Sequence, residues 1–200
     1  MTTVTQDSYK VLLEDCWESR FHCFGYAYLF QRRSRKFSKW VNWLKVFGLL
    51  TPALVGSVAL ATDLEQILPT IKFLATIILI IQFLFSVWAV IFKWDEELSY
   101  SFEAAQAHSS LSDRFEKLAK VPPIDINEFK LKFETISTEY RLRSEQDYKH
   151  GLKEWELRRG MRSALRQYKK TCIACKITPV SLRSSDCDVC GNFAFRNQLL

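Results

Sequence analysis

Two hundred residues carry 28 Lys plus Arg against 22 Asp plus Glu, a formal net charge of +6, and their 48% apolar and 25% charged content excludes a disordered or collagen-like chain. Six Gly and five Pro are too few for a β-propeller or a low-complexity linker. Fifteen Phe, seven Tyr and six Trp are many for a wholly aqueous domain, and the apolar residues are concentrated over 46–92.

Residues 7–30 read as a helix with apolar side chains all round. Leu13, Trp17, Phe24 and Tyr28 fall on one side, with Leu12, Cys16, Cys23 and Phe30 on a neighbouring stripe. Cys16 and Cys23, seven apart on this helix, read as core thiols. Six cations follow (Arg32, Arg33, Arg35, Lys36, Lys39 and Lys45), and then an uncharged run over 46–62. A second run over 73–92 has Gln82 as its one strongly polar side chain. At 1.5 Å per residue that run is about 30 Å long, the thickness of a bilayer's hydrocarbon core. The first run measures about 26 Å and reaches membrane length by adding residues 40–44, with Lys45 extending to the headgroups. The two predict a transmembrane hairpin over about 40–62 and 73–93, not a cleavable signal, which would lie nearer the N-terminus.

The connector 63–72 carries Lys72 beside Asp63 and Glu65, against the six cations before the first span. The positive-inside rule then places both termini in the cytoplasm. Trp40, Trp43, Trp88 and Trp94 fall at that same interface as an aromatic belt. Within the first span, Ala53, Ser57 and Ala61 recur at four-residue spacing, and Gly48, Pro52 and Gly56 form an adjoining stripe. Small residues so spaced let helix backbones approach closely in lipid. Gln82 and Ser86 share a face of the second span. These residues either pack the two helices of one hairpin or face a neighbouring copy in a homo-oligomer, and the polar Gln82 favours a neighbour.

After the membrane, Leu98, Phe102 and Ala105, then Leu111, Phe115 and Leu118, keep helical spacing until Val121-Pro122-Pro123 ends the helix. Asp125 or Asn127 caps the next, in which Phe129, Phe133, Ile136 and Tyr140 recur on one face. That helix is expected to run to about residue 170, with Gly151 and Gly160 as weak points. The domains expected are an N-terminal cytoplasmic helix over 1–39, the hairpin over 40–93, a helical bundle over 94–170 and a cysteine module over 171–200. The fold class is an all-α membrane protein with a small zinc ribbon or knuckle. His22, His108 and His150 are scattered, and no nucleotide-binding, nucleophile-elbow or metalloprotease motif occurs, so no enzyme is expected. Lys153, Arg158, Arg159, Arg162, Arg166, Lys169 and Lys170 form a basic stripe beside Glu154 and Glu156. Such a stripe is a solvated face, or contacts nucleic acid, an anionic ligand or the inner leaflet.

Cys172-Ile-Ala-Cys175 is followed after eleven residues by Cys187-Asp-Val-Cys190-Gly191. Two such hooks aim four thiolates at one point and complete a tetrahedral, structural zinc site with one ion per chain and no open position. Gly191 relieves crowding after the second hook, where Lys176 stands after the first. Residues 177–183 and the alternating Phe193 and Phe195 read as short strands. A reducing cytoplasm argues against disulfides, and a thioredoxin-like context for a redox CxxC is missing.

The two spans with flanking cytoplasmic helices resemble the SLATT-type membrane effectors of bacterial conflict systems. The hooks at Cys172, Cys175, Cys187 and Cys190 are similar to those of a group of mobile-element proteins described by this spacing. The resemblance implies an anti-phage, abortive-infection effector in the bacterial inner membrane that oligomerises and depolarises the cell. An upstream sensor or inhibitor would govern it, through a cyclic nucleotide synthase product or a retron reverse transcriptase–nucleic acid complex. The alternative is a membrane-tethered adaptor that binds nucleic acid or protein through the basic helix and the zinc ribbon.

Overall fold

The computed structural model describes residues 2–60 and 68–193. Ala61, the connector charges Asp63 and Glu65, and Phe195 lie outside the described residues. Five helices follow in order: α1 (Thr2–Leu60), α2 (Leu68–Ile91), α3 (Trp94–Lys120), α4 (Ile126–Lys149) and α5 (Glu154–Gln167). The described residues contain no strand. The chain divides into two compact units, one of Met1–Arg32 with Ser101–Leu200 and one of Arg33–Tyr100. The N-terminal helix does not stop near residue 30. It continues as α1 to Leu60, because residues 31–39 hold neither Gly nor Pro and are mostly good helix formers.

In the Arg33–Tyr100 unit, the second half of α1 packs on α2. Val41 and Thr51 are buried on α1, and Ala89 is buried on α2 with Gln82 and Ser86 half-buried on its face. A Cβ at Gly48 would lie 3.9 Å from Gln82 Nε2, so a small residue sits opposite the amide. Pro52 lies inside α1, and the Thr51 hydroxyl donates to the Phe47 carbonyl at 2.8 Å one turn back. Trp40 and Trp94 stand 5.9 Å apart with Phe85 against both, which ties the start of the hairpin to its end. Lys45 pairs with Asp95 at 3.9 Å. Phe73–Ile91 is the one stretch among the described residues that is long and apolar enough to cross a membrane, and 6% of it is buried.

The other unit is a bundle of the first half of α1 with α3, α4 and α5. Cys16 and Cys23 are fully buried there with Leu111, Phe115, Leu118, Phe129 and Ile136. Burial pushes both thiols up to about 12, which keeps them protonated and inert. α3 stops at Lys120 before the two prolines, and Asp125 caps α4 by accepting from the Asn127 backbone N–H at 3.1 Å. The first turns of α3 bury Ser101, Ala104 and His108, leaving Phe102 exposed. The expected Leu98–Phe102–Ala105 face is therefore rotated, since small residues let α3 come close to its neighbours.

The long fourth helix is two helices. α4 ends at Lys149, and Gly151 takes φ +60, a left-handed conformation that stops helices and favours glycine. α5 then starts afresh, with the Glu156 carboxylate accepting from the Lys153 backbone N–H at 3.1 Å. Gly160 is no weak point. It sits buried inside α5, against the backbone of Gly25 on α1.

Candidate metal centre

The residues after α5 fold as two turns that face each other. In the first, the Lys176 N–H donates to the Cys172 carbonyl at 2.9 Å, and the Cys172 N–H donates to the Ile177 carbonyl at 3.0 Å. Lys176 accordingly adopts φ 58, the left-handed region that a glycine would occupy more easily. In the second, the N–H groups of Gly191 and Asn192 both donate to the Cys187 carbonyl at 2.8 Å. Gly191 is required for space, because a Cβ there would lie 2.6 Å from the Ser185 carbonyl oxygen. The expected strands over 177–183 and at Phe193 are absent among the described residues. Pro179 has no N–H to pair, the Ile177 carbonyl accepts from the Cys172 N–H, and the Ser181 carbonyl accepts from Arg162.

The four sulfurs of Cys172, Cys175, Cys187 and Cys190 lie within 4.8 Å of one another. Cys172 and Cys187 are 3.9 Å apart, and Cys175 and Cys190 are 3.8 Å apart. A disulfide needs about 2.05 Å. A tetrahedral ion with bonds of about 2.3 Å holds its sulfurs about 3.8 Å from one another, which is the spacing seen. Cys172 and Cys190 are buried, while Cys175 and Cys187 are half-buried. Backbone N–H groups of Cys190 and Val189 directed at the Cys187 sulfur pull its thiol down to about 6, and burial pushes Cys190 up. A cation bound at the centre would reverse the second shift, since metal-bound cysteines are thiolates.

Sequence reasoning read Arg162 as part of a surface stripe, but the structure places it beneath the metal centre. Its Nε donates to the Ser181 carbonyl at 2.8 Å, and NH1 reaches the Ser185 hydroxyl at 3.1 Å and the Cys190 carbonyl at 3.4 Å. The same nitrogen stands 3.9 Å from the Cys190 sulfur, where a fixed positive charge offsets the negative charge of a four-thiolate site. The helical period of α5 on its own could have shown that Arg162 shares a face with Arg158 and Arg159. The cysteine hooks pack on Phe21, Phe24, Ala164, Leu165 and Tyr168, so α1 and α5 form the floor beneath them.

The rest of the basic stripe is divided. Arg158 pairs with Glu154 at 2.9 Å and donates to the Asn192 carbonyl. Arg159 stacks 5.4 Å over Phe193, and burial together with Arg32 lowers its pKa. Lys170 lies 5.4 Å over the Phe21 ring. Lys153, Arg166 and Lys169 remain exposed. Of the small and polar residues expected to pack the two spans, Gly48 stands opposite Gln82, Ser86 is half-buried one turn further along α2, and Ala53, Gly56 and Ser57 are exposed, as Gly48 is.

The profile of the mobilome CxxCx(11)CxxC protein family matches residues 13–193, from early α1 to just past the second hook. The chain belongs to this family. No curated protein and no solved structure matches it. The four clustered cysteines and the pattern that defines the family together point to structural metal binding.

Proposed function

We propose that this chain is a non-enzymatic membrane effector of a bacterial anti-phage system. On this reading its two-span hairpin assembles with other copies in the inner membrane and depolarises the cell. One observation carries the reading. The hairpin buries Thr51 and Ala89 and half-buries Gln82 and Ser86, while Ala53, Gly56 and Ser57 are exposed, with no atom within 4 Å of a Cβ at Gly56. Small residues on an outward face allow a second helix to approach closely in lipid. The exposed apolar surface of α2 supports insertion, and the likeness to SLATT-type effectors supports the defence role.

The bound ion is zinc, one per chain, held by Cys172, Cys175, Cys187 and Cys190. Four sulfur ligands leave no open position for chemistry, so the ion's part is to hold the tail on α1 and α5. Both termini lie in the cytoplasm, where a sensor acting through a cyclic nucleotide or a retron complex meets the helical unit. The adaptor alternative is weakened because Arg158, Arg159 and Arg162 are engaged within the chain. Membrane-potential dye signal and growth on induction, with and without the native trigger, test the proposal. Depolarisation that needs the trigger supports it, and intact potential with the trigger present replaces it with the adaptor.

A further inference from the structure

The first cysteine hook carries an exposed tip that the metal centre does not use. Ile173, Ile177 and Val180 are 79%, 64% and 87% exposed. They stand on one short segment in which the Cys172 N–H donates to the Ile177 carbonyl and Pro179, between Ile177 and Val180 in the chain, is buried. Lys169, Lys176 and Arg183 lie on the same stretch of chain, all exposed and none in an ion pair among the described residues. Residues 169–185 hold four cations and no acid, and the next acids, Asp186 and Asp188, stand at the second hook.

Three bare aliphatic side chains on one short stretch of chain with four cations match the boundary between anionic headgroups and acyl chains. Aliphatic groups enter the acyl boundary, and Lys and Arg remain among the phosphates. Single-stranded nucleic acid would match the charge but not the tip, because bases are held by aromatic or guanidinium stacking and these tips are β-branched aliphatics. A protein partner would have to present acids and an apolar patch together, whereas an anionic lipid surface offers both at every point. We infer that the tip formed by Ile173, Ile177 and Val180, with Lys169, Lys176 and Arg183, is a docking surface for anionic membrane lipid. This inference stands apart from the effector reading, since it concerns the cysteine module and holds whether or not the hairpin conducts ions.

The test uses the full chain in phosphatidylcholine nanodiscs, mixed with vesicles of phosphatidylcholine alone or containing phosphatidylglycerol, and reads co-flotation with the vesicles. Flotation is expected with phosphatidylglycerol vesicles only, and it should fall as salt is raised. Lys176→Gln should lower the bound fraction about fivefold, the usual effect of one cation at an anionic surface. Ile177→Ser with Val180→Ser should lower it about tenfold or more, while unchanged metal content shows that the hooks remain folded. Three results would each overturn the proposal: equal flotation with both vesicle types, flotation unaffected by the tip variants, or displacement from vesicles by single-stranded RNA or DNA.

Discussion

Gly25 on α1 and Gly160 on α5 meet backbone to backbone, and a Cβ at Gly160 would stand 2.7 Å from the Gly25 carbonyl oxygen. That crossing brings α5, and the metal hooks after it, down onto the floor of Phe21 and Phe24. Gly160→Ala should therefore destabilise the unit by about 1–3 kcal/mol, the usual range for overpacking, even though alanine is the better helix former. Gly25→Ala should cost less, since its nearest contacts are 3.3 Å and leave room for a small shift. Urea midpoints of the two variants against wild type would check the order.

The buried pair of His108 and Asp147 gives a second prediction. Their side chains meet at 2.6 Å with no exposure, and His108 is stacked against Tyr26 and Phe30. Arg143 reaches the other Asp147 oxygen at 3.4 Å and Glu103 at 2.6 Å. Removing one partner of a buried pair leaves the other uncompensated, so Asp147→Ala should cost about 3–5 kcal/mol. The double variant His108→Leu/Asp147→Leu should recover part of that loss. A double-mutant cycle on unfolding free energy measures the coupling.

How much of this was legible depends on whether one helix carried the signal. The cysteine hooks were legible because the ligand chemistry itself fixes their spacing. The end of α3 and the Asp125 cap were written in prolines and an acid at the right offset. His108 reads in the sequence only as one of three scattered histidines, because its partner lies 39 residues on and on another helix. Gly160 was misread because a glycine at a helix crossing and a glycine at a helix break look alike in sequence. Only Gly25 on α1 distinguishes them. The strand at Phe193 rests on its alternation with Phe195, and two residues of alternation do not distinguish a strand from the chain leaving a metal-hook turn.

Metal removal should act on the tail first. Cys187→Ser should lose the ion and unfold the residues after α5, because binding and folding are coupled in small metal modules. Arg162→Ala should weaken binding about 10–100-fold, the range for groups that support ligands. Cys16→Ala and Cys23→Ala should leave the metal content unchanged, since both thiols lie in the other core cluster. Metal analysis of purified variants, expected near one ion per chain for wild type, decides all three.

Acid should loosen the helical unit. Lys120 and then Arg20 hold the Glu116 carboxyl below its ordinary value, and Arg114 does the same for Glu139. Folded-state pKa values below the unfolded value of 4.5 mean that the unfolded chain binds protons more readily. Their stabilisation is therefore complete above that value and is lost as the pH falls through the lowered ones. Both pairs are partly exposed, so each is worth about 1 kcal/mol or less and fades in high salt. Glu139→Gln should flatten the fall in urea midpoint between pH 5 and acid, and an unchanged slope would sink this account.

On the proposed function, Gly48 and Gly56 of α1 separate packing within a hairpin from assembly between hairpins. Gly48 faces Gln82, with 3.9 Å from a Cβ to the amide nitrogen, whereas a Cβ at Gly56 meets nothing within 4 Å. Gly48→Ile should therefore disturb α1 against α2 and lower the amount of protein in the membrane. Gly56→Ile should leave the hairpin intact at wild-type levels and block only the approach of another copy, since close backbone packing is the main attraction in lipid. Gln82→Leu should weaken association by about 1 kcal/mol or less, a loss repeated at each contact in a ring. Membrane abundance at equal induction, followed by growth and a potential-sensitive dye at matched membrane levels, distinguishes the roles. If Gly56→Ile depolarises cells as fully as wild type, the outward small-residue face has no part in assembly. If Gly48→Ile is as abundant as wild type, Gly48 is not needed for packing within the hairpin.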